Sequence, residues 1–330
     1  MTEVLLRPDR RSPVLVTGTH RSGTTWVGRL LELSGDLLAV HEPFNPTNRR
    51  SWLANPAPHW FELVTAANAG RYHDDLARLI ALRFPWRRRM SRACSTRDLL
   101  ALGRDGLRAG RARVQQGALL MKDPLAFFSA PFFAETYDML PIVCVRHPAA
   151  FVSSLKRLDW RFDFGNWTDQ PLLMDGPLRR YADEIRWLAA TERDIVDEGI
   201  ALWKIMNSVV RDDYQHRPGW LVLRYEDIAA DPERSVRSLY RSIGLRWSPT
   251  VEKNVCAYTQ SSIQGELAPG DHMSVRRNSR TAMWTWLERL SPAEIARIRA
   301  GTAEIAGSFY SDADWAIETT SAHSRSSHAS

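Results

Sequence analysis

Gly18-Thr19-His20-Arg21-Ser22-Gly23-Thr24-Thr25-Trp26 follows the apolar run Pro13–Thr17 (PVLVT) and opens the amphipathic stretch Thr24–Leu33. A glycine-containing turn between a buried strand and a helix start presents backbone N–H groups and the positive dipole end to an anion. Gly18, four residues and Gly23 match the spacing of the phosphate-loop frame GxxxxGK[ST]. The lysine position of that frame holds Thr24, and basic side chains sit inside the loop instead, at His20 and Arg21.

Outward from this loop, three more short apolar runs read as buried strands: Ala118–Met121, Pro141–Val145 and Trp220–Leu223. Each is too short for a helix and ends in a polar or charged loop. Helical patterns cover Thr24–Leu33, Phe127–Tyr137, Ala149–Leu158, Leu178–Glu198, Ala201–Tyr214 and Pro232–Ile243. Asp231 followed by Pro232 is a helix-start signal. Strands alternating with helices predict an α/β fold, a three-layer sandwich around a mainly parallel sheet. Ligands of such sheets bind at the carboxyl ends of the strands. Residues 45–116 interrupt the alternation and read as a helical insertion on the rim. Residues 1–315 are expected to form one domain, and residues 316–330, rich in Ser and His, a disordered tail.

Composition narrows the class. A hydrophobic fraction of 44% with 10% aromatics is too apolar for a disordered chain. No apolar run approaches the roughly 18 residues of a membrane-spanning helix. Met1–Arg11 carries Glu3 and Asp9 and lacks a secretory apolar segment, so no signal peptide is expected. Cys94, Cys144 and Cys256 lie far apart without metal-ligand spacing, which points to a reduced, cytoplasmic protein. The net charge is +6, and of 44 basic residues only Lys122, Lys156, Lys204 and Lys253 are lysine. Arginine in that excess, beside many alanines, matches GC-rich coding. The competing reading is acidic ligands, since guanidinium binds oxyanions bidentately.

Arg-Ser-Gly-Thr-Thr-Trp after a strand resembles the 5′-phosphosulfate loop of sulfotransferases that use 3′-phosphoadenosine 5′-phosphosulfate (PAPS). Arg146 at a strand end, with Ser154 eight residues on, resembles that family's 3′-phosphate signature. Ser153 would replace Ser154 if the helix were rotated. Glu42 in Val40-His41-Glu42-Pro43-Phe44 lies 21 residues after Arg21, where the carbohydrate and tyrosylprotein branches place a glutamate base. Lys122 in Met121-Lys122-Asp123-Pro124 resembles the tyrosylprotein enzymes, whose lysine contacts the sulfate and bridging oxygen. Leu223-Arg224-Tyr225-Glu226-Asp227 is similar to the adenine-side segment, although Tyr225 equally fits core packing. Arg276 and Arg277 fall where the family returns a basic loop over the 3′-phosphate. The small-phenol enzymes carry lysine where this chain has Arg21.

The resemblance implies sulfuryl transfer to a hydroxyl of a small molecule, glycan or glycolipid, leaving 3′-phosphoadenosine 5′-phosphate (PAP). Glu42 is the expected base, with His41 the competitor, and Arg21 and Lys122 would stabilise charge on the bridging oxygen. His20, Arg21, Ser22, Gly23, Thr24, Thr25 and Trp26 would surround the 5′-phosphate, His20 with the option of contacting the leaving group. No metal is expected, because arginine and lysine take the neutralising role. Trp52, Trp60, Trp160, Phe162, Phe164 and Trp167 are acceptor-stacking candidates or, more simply, core. Trp86-Arg87-Arg88-Arg89 reads as a solvated helix end or a weak peripheral contact with anionic lipid. Two rival readings are a P-loop kinase using ATP and magnesium, opposed by Thr24, and a non-catalytic binder of nucleic acid or membrane. No nucleic-acid motif supports the latter.

Overall fold

The structure, a computed structural model, describes residues 12–259 and 283–315. Five parallel strands make one sheet in the order β2-β3-β1-β4-β5. They are β1 (Val14–Gly18), β2 (Leu37–His41), β3 (Ala118–Lys122), β4 (Leu140–Val145) and β5 (Leu221–Arg224). The pleat sorts side chains with period two. Val14 and Val16 of β1, Leu120 of β3 and Ile142 and Cys144 of β4 enter one core. Leu15 of β1 and Leu119 and Met121 of β3 enter a second core on the opposite face. Val143 and Val145 of β4 turn to a third.

Helices cover both faces. Helix α1 (Thr24–Glu32) buries Trp26, Val27, Leu30 and Leu31 beneath the sheet, beside the helices Pro232–Ser242 and Pro249–Thr259. Four helices lie between β2 and β4: α2 (His73–Ile80), α3 (Trp86–Ser91), α4 (Thr96–Val114) and α5 (Ala130–Tyr137). After β4 comes α6 (Pro148–Leu158), which packs on the helix Ile195–Asp212.

The four strands read from the sequence are all present, and β2 is an additional one. With β2 in place, residues 45–116 become the crossover from β2 to β3 rather than a break in the alternation. Their Leu53, Val64, Leu76, Leu79 and Ala109 belong to the core under those two strands. The continuous helical pattern Leu178–Glu198 is interrupted at residues 191–194. A new helix starts there because Asp194 accepts hydrogen bonds from the N–H groups of Val196 and Asp197. Arg276, Arg277 and the tail from residue 316 lie outside the described residues.

Candidate active site

The carboxyl ends of the strands bring most of the expected residues to one edge. β1 stops at Gly18 (φ +143), where a Cβ would stand 2.3 Å from the Cys144 carbonyl oxygen. The loop then folds on itself, Ser22 N–H and Oγ both donating to Thr19 O at 3.1 and 2.6 Å. Gly23 (φ 97) caps α1 in a left-handed conformation, and no side chain caps the helix. The N–H groups of Thr24, Thr25 and Trp26 therefore open the helix without intrahelical acceptors. Ser22 and Thr24 are buried. The Trp26 indole is buried too, 5.2 Å from the Tyr225 ring, so only its backbone belongs to the loop.

Order β2-β3-β1-β4-β5 sends the chain from β1 toward one sheet edge and from β4 toward the other. The crevice between the ends of β1 and β4 is the switch point where such sheets hold ligands. Arg21 (φ 67) occupies it, its Nε donating to Ser154 Oγ at 3.0 Å. Ser153 Oγ, by contrast, is buried without a partner among the described residues, so Ser154 is the hydroxyl facing the loop. Arg146 Nη1 donates to Arg21 O at 2.9 Å, and its guanidinium lies 4.9 Å above the Tyr225 ring. Its carbonyl accepts Trp203 Nε1–H at 2.8 Å. Among the described residues Arg146 Nε is buried with no hydrogen-bond partner.

At the ends of β2 and β3, His41 pairs in register with Lys122, and the Lys122 ammonium contacts Glu42 Oε1. Glu42 has φ 46, a strained conformation fixed by several bonds. Its N–H donates to Lys122 O at 2.7 Å, Asn45 Nδ2 donates to its Oε2 at 2.8 Å, and Asn48 Nδ2 holds the His41 and Glu42 carbonyls. Burial pushes the Glu42 carboxyl upward. The Lys122 charge, with hydrogen bonds from Lys122 and Asn45, outweighs it and holds the group below its ordinary value. The Glu42 side chain is 30% exposed and Lys122 only 4%, so the carboxylate is the group an incoming molecule reaches.

His41 lies on the same face of β2 as Leu37 and Ala39, toward α1. Burial, then the Lys122 charge, lowers it to about 3, and its Nε2 is buried without a partner among the described residues. His20 is likewise lowered to about 3, by burial and then by Arg21, and both its ring nitrogens lack partners among the described residues. It packs against Trp160, Phe151, Phe61 and Trp60 at 5.0–6.1 Å. Trp60 and Trp160 thus border the loop, whereas Trp52, Phe162, Phe164 and Trp167 are core.

Two supporting residues escaped the sequence reading, Asn45 and Asn48, and Asp123, quoted there only as the neighbour of Lys122, is a third support. Asp123 is fully buried and accepts the N–H groups of Phe44 (2.7 Å) and Leu125 (3.0 Å), tying the Glu42 turn to the end of β3. Burial, followed by the Glu42 charge, pushes it up to about 7. An Asn three residues after Glu42 was the available sign of the first. A cavity of about 350 Å³ is lined by Asn48, Arg49, Ser51, Pro56, Arg92 and Cys94, among others. Among the described residues, no group of three or more His, Cys, Asp or Glu side chains is arranged to hold a metal ion. No helix among them is long and apolar enough to cross a membrane.

Among solved structures, the chain is similar to the sulfotransferase domain of the Synechococcus olefin synthase, with 15% identity, a TM-score of 0.44 and coverage of 92% of this chain and 98% of that one. It is also similar to the mouse sulfotransferase SULT7A1 complexed with PAP, with 12% identity, a TM-score of 0.46 and coverage of 92% and 86%. No curated protein sequence matches. The sequence profile of the sulfotransferase family matches residues 13–249, a span holding all five strands and both arms of the β1–β4 crevice, and the chain belongs to that family.

Proposed function

We propose that this sulfotransferase moves a sulfuryl group from PAPS to a hydroxyl of a small molecule, glycan or glycolipid, with Glu42 taking the acceptor proton. The observation that carries this reading is the Lys122–Glu42 pair, set on adjoining strands from the Arg21–Ser154–Arg146 cluster. The residues fit the donor. The uncapped start of α1 offers the N–H groups of Gly23, Thr24 and Thr25 to the 5′-phosphate. Arg146, with its unpartnered Nε, and Ser154 offer a charged and a neutral donor to the 3′-phosphate. Tyr225 lies beside them for the adenine, and Arg276 and Arg277 would close over the 3′ side. When bound, the donor supplies an activated sulfuryl group.

Glu42 is ionised at neutral pH and partly open to solvent, so it can accept a proton from a hydroxyl placed against it. Lys122 holds one carboxylate oxygen at rest. As negative charge develops nearby, the ammonium turns to it and releases that oxygen, while Arg21 stabilises the same charge. His41 and His20 are neutral and enclosed, and serve as packing or hydrogen-bond groups rather than bases. The 45–116 crossover forms the acceptor-side rim of a single domain, and its cavity supports that placement. The free thiols of Cys94, Cys144 and Cys256 support a cytoplasmic setting.

The test is transfer of labelled sulfate from PAPS to a panel of sugars, glycolipids and aromatic alcohols. The wild-type chain should label at least one class and Glu42→Gln none of them. Equal labelling by both proteins would remove Glu42 from the base role.

A further inference from the structure

Nine large apolar side chains are exposed among the described residues, and six of them fall in α3 and α4: Trp86, Met90, Leu99, Leu100, Leu107 and Val114. Scattered singly, exposed leucines mean little; gathered on one element they mark a contact surface. The spacing of Leu100, Leu107 and Val114 is seven residues. At 100° per residue they form a row within a 40° arc on the outermost face of α4, opposite its buried Leu102 and Ala109. They are 77%, 74% and 85% exposed. A second row with the same spacing, Arg97, Arg104 and Arg111, runs beside the first.

Charge says what fits this face. Residues 83–114 contain ten arginines and two aspartates, a balance of +8, whereas the whole chain carries +6. The remainder of the sequence is therefore slightly acidic, and two of its acids, Asp75 and Glu32, pair with Arg88 and Arg108 of this segment, which leaves the row of Arg97, Arg104 and Arg111 as the basic part of this face. Both aspartates point toward the core side of α4 and are occupied: Asp98 by Ser95 and Arg50, Asp105 by Arg89 and Arg104. The Arg97 and Arg111 guanidinium groups make no hydrogen bond or ion pair among the described residues, and that of Arg104 reaches only Asp105. A second copy of this face would thus bring no acid to pair with the arginine row. A nucleic acid would leave the leucine row without a role.

We propose that the outer face of α4, with Trp86 and Met90 of α3, docks the enzyme on an anionic membrane surface. The Leu100–Leu107–Val114 row enters the boundary between headgroups and acyl chains, and the arginine row binds lipid phosphates. Trp86 is suited to the same interface, since its ring seats on Gly106 and leaves its outer part exposed. The surface is strapped to the site's rim: Arg50 bonds Asp98, and Arg92 holds the carbonyls of Ser51, Leu53 and Ala54, just beyond the Asn48 that fixes Glu42. Docking would accordingly bring the acceptor side to the lipid. This inference stands independently of the donor and base assignments above.

The experiment is flotation of the full chain with vesicles of phosphatidylcholine alone or mixed with phosphatidylglycerol. The chain should float with the mixed vesicles only, and added salt should release it. Leu100→Ser with Leu107→Ser, and separately Arg97→Glu with Arg111→Glu, should each lower the bound fraction about tenfold or more. Their melting curves and PAP binding should match wild type. Absence of flotation with anionic vesicles overturns the proposal, as does equal flotation of wild type and both variants. Self-association that the same substitutions abolish, without vesicle binding, would assign the face to a second copy instead.

Discussion

Lys122 and Glu42, eighty positions apart in the chain, meet ammonium to carboxylate at the ends of neighbouring parallel strands. The pair holds the Glu42 carboxyl below its ordinary value where β2 and β3 end. It leaves Glu42 ionised but engaged, and under the proposed function Glu42 would act as base once that cation is drawn elsewhere.

Glu42→Gln keeps the shape and the Asn45 contact but cannot take a proton. Turnover should fall about 10²–10⁴-fold, with PAP still raising the melting temperature. His41→Phe should leave kcat within about threefold, because an enclosed imidazole lowered to about 3 is a poor base. Steady-state rates of both variants decide between the two residues, and the reverse ranking would pass the base role to His41.

Lys122→Met removes the charge that offsets burial at Glu42. The carboxyl should then rise above its position in the wild-type protein, and the acid limb of kcat/KM should move to higher pH. The limb's position is separate from the drop in rate that loss of Lys122 causes. A pH profile with an unmoved limb would mean that Lys122 does not control Glu42.

Asp123 links stability to pH. Its folded value, about 7, lies above the ordinary 3.8, so the folded state holds a proton that the unfolded chain has released. The associated stability is complete below about 3.8 and is lost as pH rises through about 7. Urea midpoints of wild type should fall across that window relative to Asp123→Asn, which has no proton to lose. A parallel pair of curves would refute the assignment.

Much of this could be read from the chain, for identifiable reasons. Pro13–Thr17, Ala118–Met121 and Pro141–Val145 are short, apolar on both faces and bounded by polar loops, which is what inner parallel strands require. Leu37–His41 was harder. Its leucines continue the spacing of Leu30 and Leu31 in α1, so the segment blends into the preceding helix until tertiary pairing separates them. Without β2 there is no way to see that Glu42 and Lys122 are neighbours. The Arg21–Ser154 contact and the Asn45 and Asn48 clamps join or fix loops whose backbone conformations no periodicity encodes. The charge total was misleading on its own, because one segment outweighs the rest of the chain.

Gly23 tests the loop. A Cβ there would sit 2.6 Å from Tyr225 Cδ2, at φ 97. Gly23→Ala should cost about 1–3 kcal/mol and abolish PAP binding. Gly35→Ala, at φ 74 with nothing within 4 Å of the new Cβ, should cost stability only and keep binding. Calorimetric titration of both proteins checks the contrast, and intact binding by Gly23→Ala would separate the loop from the donor.

Under the proposed function a doubly phosphorylated nucleotide is held between Arg21 and Arg146. Thermal melting of the purified chain in EDTA, with and without PAP, tests it most directly, alongside Arg146→Ala. PAP should raise the melting temperature of wild type and hardly move the variant, which has lost a charge-assisted grip worth roughly 10–100-fold in affinity. ATP with magnesium should do little. A wild-type chain that melts at the same temperature with and without PAP, or that only ATP with magnesium stabilises, would contradict the account.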